Sequence, residues 1–298
     1  MPHPRFSKIL YDFESFLSVE RNLSPQTRQA YVYDIDRFAE YLVIRYTRMP
    51  AIEAVTTDDI RAYLERLQEK HHLRSTTLAR TISSIRQFFE FCIERKYLQT
   101  SPADPIHNPK KPKRLPVFLV ANELKGLLSA PDRSEWRGRR DYAILVVLAF
   151  TGIRLKEIIG LDLDDLDLTA RHIRVLGKGS KERIVPLNTI VVDALTDYLR
   201  ERPATPEPAL FLGRAGHRIA PRTVEGLVVK YARQAGIFKK GISPHKLRHT
   251  FATLLHMKDV DILEIQALLG HSSITSTQIY THTYSGKLKS AVEKLTDI

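Results

Sequence analysis

Asn108-Pro109-Lys110-Lys111-Pro112-Lys113-Arg114-Leu115-Pro116 divides the chain. Its three prolines withdraw backbone donors and hold the backbone extended, and its four cations repel one another. Like charges set this closely favour a segment lying beside something anionic over an ordinary surface loop. The stretch therefore reads as a basic, proline-rich linker at 108–116, between a domain at 1–107 and a second at 117–298.

Working outward to the N-terminal side, apolar residues recur at helical spacing. A helix is expected from Phe6 to Val19. Ser24 then stands as N-cap before Pro25, the residue best suited to a first helical position, and opens a helix to about Ile44 with Tyr31, Ile35, Phe38 and Leu42 on one face. Further helices follow from Thr57 to about Gln68 and from Ser75 to about Glu94. This is a small four-helix domain.

Beyond the linker, helices are expected at Asn122–Ser129, Trp136–Phe150 and, briefly, Leu155–Ile159. The segments Arg171–Leu176 and Glu182–Leu187 alternate polar and apolar residues around Gly177-Lys178-Gly179-Ser180, the pattern of a β-hairpin with Lys178 at its tip. Helices return at Asn188–Arg202, Thr223–Ala235, after Ser243-Pro244, and at Asp261–Leu269. The fold class is thus mainly α with a small antiparallel β-sheet: a four-helix N-terminal domain and a mixed α/β C-terminal one.

The 298 residues carry 46 Lys and Arg against 34 Asp and Glu, a formal charge of +12. Residues 1–105 hold 15 basic and 14 acidic groups, 106–115 hold four and none, and 116–298 hold 27 and 20. The excess points to a polyanionic partner, because neutralising phosphates releases condensed counterions. Hydrophobic residues make up 43 % of the chain, enough for a core in each domain, which excludes disorder and coiled coil. The longest apolar run, Tyr142–Phe150, is far shorter than the ~20 residues of a membrane-spanning helix, so no membrane association is expected. Cys92 is the only cysteine, which leaves no intrachain disulfide and fits a reducing cytoplasm.

Several polar groups stand where chemistry could use them. Ser243-Pro244-His245-Lys246-Leu247-Arg248 begins a helix, and the i, i+3 spacing puts His245 and Arg248 on one face in its first turns, where N–H groups and the helix dipole favour a phosphate. Thr151-Gly152-Ile153-Arg154 ends an apolar helix and sends Arg154 away from it, with Glu157 placed to orient its guanidinium or simply to pair with it. Gly270 stops the helix Asp261–Leu269 and holds His271 just beyond. Tyr280 follows in a mostly polar stretch; a tyrosine so placed is, on its own, more often a half-buried core residue than a nucleophile. Gly177-Lys178 lacks the glycine five residues earlier that a nucleotide-binding loop needs, since His172 stands there. His245 and His249 have zinc-helix spacing, but Lys246 takes the place of the required glutamate. No cofactor and no metal are expected.

Arg154, Lys178, His245-x-x-Arg248, Leu269-Gly270-His271 and Tyr280 together resemble, in order and spacing, the active-site series of the tyrosine recombinases, the phage-integrase family. Asn22–Thr27 and Ile85–Phe89 resemble that family's N-terminal core-binding, SAM-like domain, so the resemblance spans nearly the whole chain. Xer-type members are the most similar. The tail from Ser285 to Ile298 lacks the His-Pro-Arg ending of many chromosomal Xer proteins, which leaves chromosome-dimer resolution and mobile-element integration both open.

The resemblance implies a site-specific recombinase that works without metal or ATP. Tyr280 would attack a scissile phosphate in double-stranded DNA, with Arg154 and Arg248 clamping the nonbridging oxygens and His245 accepting the tyrosyl proton. His271 would hydrogen-bond the phosphate, and Lys178 would protonate the departing 5′-oxygen. It also implies a homo- or hetero-tetramer on DNA, with a second recombinase or a DNA translocase as further candidate partners. Leu288, Val292 and Leu295 lie at helical spacing, and a helix there is expected to pack on a neighbouring subunit. Two competing readings are a noncatalytic DNA-binding regulator and a DNA-relaxing enzyme of type IB; neither a binding role nor relaxation requires two paired DNA sites.

Overall fold

The computed structural model describes residues 4–71, 75–109, 117–177 and 182–270. Lys178, His271, Tyr280, most of the linker and the C-terminal stretch with Leu288, Val292 and Leu295 lie outside the described residues. The chain divides into two compact units, Met1–Lys113 and Arg114–Ile298.

The first unit contains α1 (Pro4–Val19), α2 (Pro25–Tyr46), α3 (Thr57–His71) and α4 (Ser75–Glu94). Ser24 caps α2 as its sequence requires, its hydroxyl accepting from the Thr27 N–H at 3.3 Å. The helix runs two residues past Ile44 and ends where Thr47 takes a left-handed conformation, φ 63°. An aromatic cluster joins α1 to α4: Phe13 meets Phe88 edge-on at 5.3 Å between ring centroids, the geometry that aligns a positive ring edge with a negative face. Buried Asp34 of α2 accepts from Arg80 and Ser84 of α4 at 2.5 and 2.7 Å, which satisfies a carboxylate whose pKa burial would otherwise push up unopposed. Burial of Cys92 in the same core pushes its thiol up to about 12, so it is a packing residue and not a nucleophile.

The second unit is organised around α6 (Trp136–Thr151), in which Ala143 to Ala149 are all fully buried. A helix apolar on every side has to be wrapped, and α8 (Thr189–Glu201) and α10 (Pro244–Met257) pack on it. Around these stand α5 (Ala121–Ser129), α7 (Leu155–Gly160), α9 (Pro221–Gln234) and α11 (Ile262–Leu269). The sheet has three antiparallel strands in the order β1 (Leu166–Asp167), β2 (His172–Leu176) and β3 (Glu182–Pro186). The hairpin of β2 and β3 was legible from its alternation. The two-residue β1, paired with His172 and Ile173, was not, because two residues carry no period. The fold class is the one the sequence predicts: mostly helical, with one small antiparallel sheet.

Two helix ends in this unit rest on backbone geometry. Gly236 follows α9 with φ 70°, and Ser243 is the N-cap of α10. The Ser243 hydroxyl makes no capping hydrogen bond; it is the Ser243 carbonyl that accepts from Lys246 and Leu247. Pro244 alone therefore supplies the side-chain signal that starts this helix.

Phe88 is completely buried. Truncation in Phe88→Ala removes it from the aromatic cluster and is expected to destabilise the first unit by about 3–5 kcal/mol, read as lost hydrogen-exchange protection across α1–α4.

Candidate active site

Three of the six residues singled out by sequence, Arg154, His245 and Arg248, fall within the described residues, and the structure brings them together. The assembly starts at the end of α6. Gly152 is left-handed, φ 63°, and a Cβ there would stand 2.4 Å from Phe251 Cδ1 and 2.9 Å from Leu269 Cδ2. Only glycine allows both the turn and this close approach of α6 to α10 and α11. The chain then passes through buried Ile153 and places Arg154 at the N-cap of α7.

Glu157, one turn into α7, fixes Arg154 twice. Its Oε2 accepts from the Arg154 backbone N–H at 2.7 Å, and its Oε1 accepts from the guanidinium at 2.9 Å. The same carboxylate also takes two hydrogen bonds from Arg183 on β3, each 2.9 Å. Burial alone would raise the Glu157 pKa. Hydrogen bonds from Arg183 and from the Arg154 backbone, the charge of Arg183 and a further hydrogen bond from the Arg154 guanidinium outweigh it and pull the carboxyl down to about 2.

Arg248 comes from α10 and is only 3 % exposed, a burial that a cation tolerates only with strong acceptors. It donates to the Gly152 carbonyl at 2.5 Å and to the Leu269 carbonyl at 2.6 Å. Arg154 donates to the next carbonyl, Gly270, at 3.3 Å. Both guanidinium groups are thus moored on the C-terminus of α11, where unpaired carbonyls and the negative end of the helix dipole attract cations. Gly270 makes this end available by terminating α11 in a left-handed turn, φ 62°.

His245 lies one turn before Arg248 and keeps part of its ring in solvent. Partial desolvation, followed by the positive charges of Arg248, Lys246 and Arg154, pulls its pKa below the ordinary histidine value. The imidazole is consequently neutral near pH 7 and able to accept a proton. Its ring meets His249 edge-to-face at 4.6 Å between centroids. Among the described residues no cluster of three His, Cys, Asp or Glu could hold a metal ion.

The cationic groups Arg154, Arg183, Lys246 and Arg248 gather here, and among the described residues it is the Glu157 carboxylate that pairs with the first two. That surplus of positive charge, delivered by planar guanidinium forks and the first turns of α10, suits a phosphodiester. Sequence reading missed Arg183. Its signal was the strand register: Arg183 pairs with Val175, and both face inward, where alternation calls for an apolar residue.

The phage integrase family profile matches residues 117–286, and that of the phage integrase N-terminal SAM-like domain matches 10–96. The chain belongs to the phage integrase family of tyrosine recombinases. This tyrosine recombinase is 37 % identical over 297 residues to tyrosine recombinase XerC of Pelotomaculum thermopropionicum, covering 95 % of this chain and 96 % of that one. It is 36 % identical to XerD of Staphylococcus epidermidis over 286 residues, 94 % and 96 % of the two chains. Among solved structures, XerA recombinase shares 32 % identity at a TM-score of 0.54 over 97 % of this chain and 98 % of that one. XerH bound to its difH substrate before cleavage shares 25 % identity at a TM-score of 0.74, covering 95 % and 84 %. The recombinase is therefore a site-specific one of the tyrosine type. Among its described residues no helix is long and apolar enough to cross a membrane.

Two outcomes follow from the charges. Glu157→Gln removes the carboxylate charge shared by Arg154 and Arg183 and is expected to destabilise the second unit at pH 7 by about 3 kcal/mol. Because the folded pKa is depressed, that stabilisation is present above pH 4.5 and disappears as pH falls toward 2, so the gap between wild type and variant should close at acid pH. Urea unfolding followed through Trp136, the single tryptophan, measures it. In an NMR titration His245 should show a midpoint below 6.5.

Proposed function

We propose that this recombinase cuts and rejoins double-stranded DNA at a specific site through a covalent 3′-phosphotyrosyl intermediate, with Arg154, Lys178, His245, Arg248, His271 and Tyr280 as its catalytic residues. The observation that carries this reading is the joint mooring of Arg154 and Arg248 on the C-terminus of α11 beside a neutral His245.

The Tyr280 hydroxyl attacks the scissile phosphorus as His245 takes its proton. A free tyrosine hydroxyl titrates near 10, so attack at neutral pH needs such a base. Negative charge grows on the nonbridging oxygens in the pentacoordinate transition state. Arg154 and Arg248, held before the substrate arrives, stabilise it without reorganisation, and His271 adds a hydrogen bond. The bond from phosphorus to the 5′-oxygen breaks, and Lys178 supplies the proton that turns this oxygen into a hydroxyl. The phosphodiester energy is kept in the tyrosyl ester. The 5′-hydroxyl of a partner strand then attacks the phosphotyrosine, releasing Tyr280 and completing exchange through a Holliday junction.

Exchange requires two sites held together, hence a homo- or hetero-tetramer on DNA, with a helix near Leu288, Val292 and Leu295 packing on the neighbouring subunit. The basic linker 108–116 and the overall charge of +12 suit a DNA duplex as the partner, with the linker lying along it. The similarity to XerC and XerD favours a cytoplasmic role in chromosome-dimer resolution over mobile-element integration, with a second recombinase or a DNA translocase as co-partner.

The test is trapping on a nicked suicide DNA site in the presence of a metal chelator, resolved on a denaturing gel. Wild type should give a covalent adduct and Tyr280→Phe none; Arg154→Ala should form it about 100–1000-fold more slowly, the loss expected for one transition-state donor. An adduct that persists in Tyr280→Phe would refute the nucleophile. Tight binding to a cleavable site with no adduct would favour the noncatalytic regulator. Relaxed circles without recombinant product would favour the relaxing enzyme.

A further inference from the structure

We infer that Arg183 is a positioning residue for the reaction, setting the guanidinium of Arg154 by backing both of the groups to which that guanidinium donates. The inference rests on the reading of Arg154 given under Proposed function.

The two terminal nitrogens of Arg154 donate to Glu157 Oε1 and to the Gly270 carbonyl. Arg183 reaches both anchors. It grips both oxygens of Glu157 with a two-pronged pair at 2.9 Å, which fixes the plane of the carboxylate and not only its charge. The same side chain lies against Gly270, so closely that a Cβ there would stand 2.9 Å from Arg183 Nε and 3.0 Å from its Cδ. The absence of a side chain at position 270 thus serves two neighbours: it permits the left-handed end of α11 and it leaves room for Arg183.

Stability alone does not account for this arrangement. Glu157 is already paired with the backbone and guanidinium of Arg154, and a second buried cation carries a desolvation cost that an apolar residue opposite Val175 would avoid. What the second guanidinium adds is direction. The Arg154 side chain is 41 % exposed, against 17 % for Arg183 and 4 % for Glu157, so the outer member of the chain is open to solvent and the inner members are enclosed. Without Arg183, the carboxylate can turn about its last bond and Arg154 can follow it into solvent. Arg183 stands on β3, five residues after Lys178 in sequence.

Arg183→Met, Arg183→Lys and wild type are compared on the suicide DNA site for DNA affinity, single-turnover adduct formation and thermal unfolding reported by Trp136. Arg183→Met should bind DNA within about twofold of wild type while forming adduct about 10–100-fold more slowly, the loss typical of an outer residue that orients a functional one. Arg183→Lys, which keeps the charge but not the fork, should recover part of that loss. If Arg183→Met does not fold, Arg183→Lys carries the test through the same separation of rate from affinity. Adduct formation at the wild-type rate in the folded variants overturns the inference, as does a loss of rate matched by equal losses of affinity and thermal stability. No adduct from wild type would instead count against the reading of the site, and would remove the basis of the inference with it.

Discussion

The carboxylate of Glu157 is the group on which the rest of the site depends. Two guanidinium groups converge on it, from α7 and β3, and neither could stay there without it, because like charges brought together in a partly dry setting repel strongly. Arg248 is held by a second device, the carbonyls of Gly152 and Leu269. The result is a set of cations prepared in advance and only partly neutralised. In the function proposed above, the scissile phosphate supplies what is lacking. This is the sense in which the geometry is complementary to a charge that develops during reaction and not to a resting ligand.

The local architecture explains why these residues meet. Arg154, Arg248 and Leu269 are far apart in sequence and belong to three helices. They converge because Gly152 has no side chain to hold α6 away from Phe251 and Leu269, and because Gly270 ends α11 with its carbonyls turned toward the arginines. Sequence and chemistry are linked here through two glycines whose conformation an L side chain rarely adopts.

Much of this was legible beforehand. The helices follow from apolar spacing, Ser24-Pro25 and Pro244 announce their helix starts, and the pairing of Arg154 with Glu157 follows from their separation by three residues. Arg183 was hidden because alternation in Glu182–Leu187 identifies a strand without saying which face is inward; in the event Ile184 points out and Arg183 points in. The strand β1 was too short to have a pattern. Ser243 is a residue type whose hydroxyl commonly caps a helix, yet here its backbone carbonyl accepts from the first turn and the hydroxyl does not. Each miss concerns a choice made by tertiary packing, which local sequence does not encode.

The most direct measurement is a crystal structure of the Tyr280→Phe protein bound to its recombination site. The account predicts that Arg154 and Arg248 each donate to nonbridging oxygens of one and the same phosphate, with Arg154 still joined to Glu157 and the residue at position 280 facing that phosphorus. A scissile phosphate bound away from the two arginines, or an Arg154 released from Glu157 and turned into solvent, would contradict it.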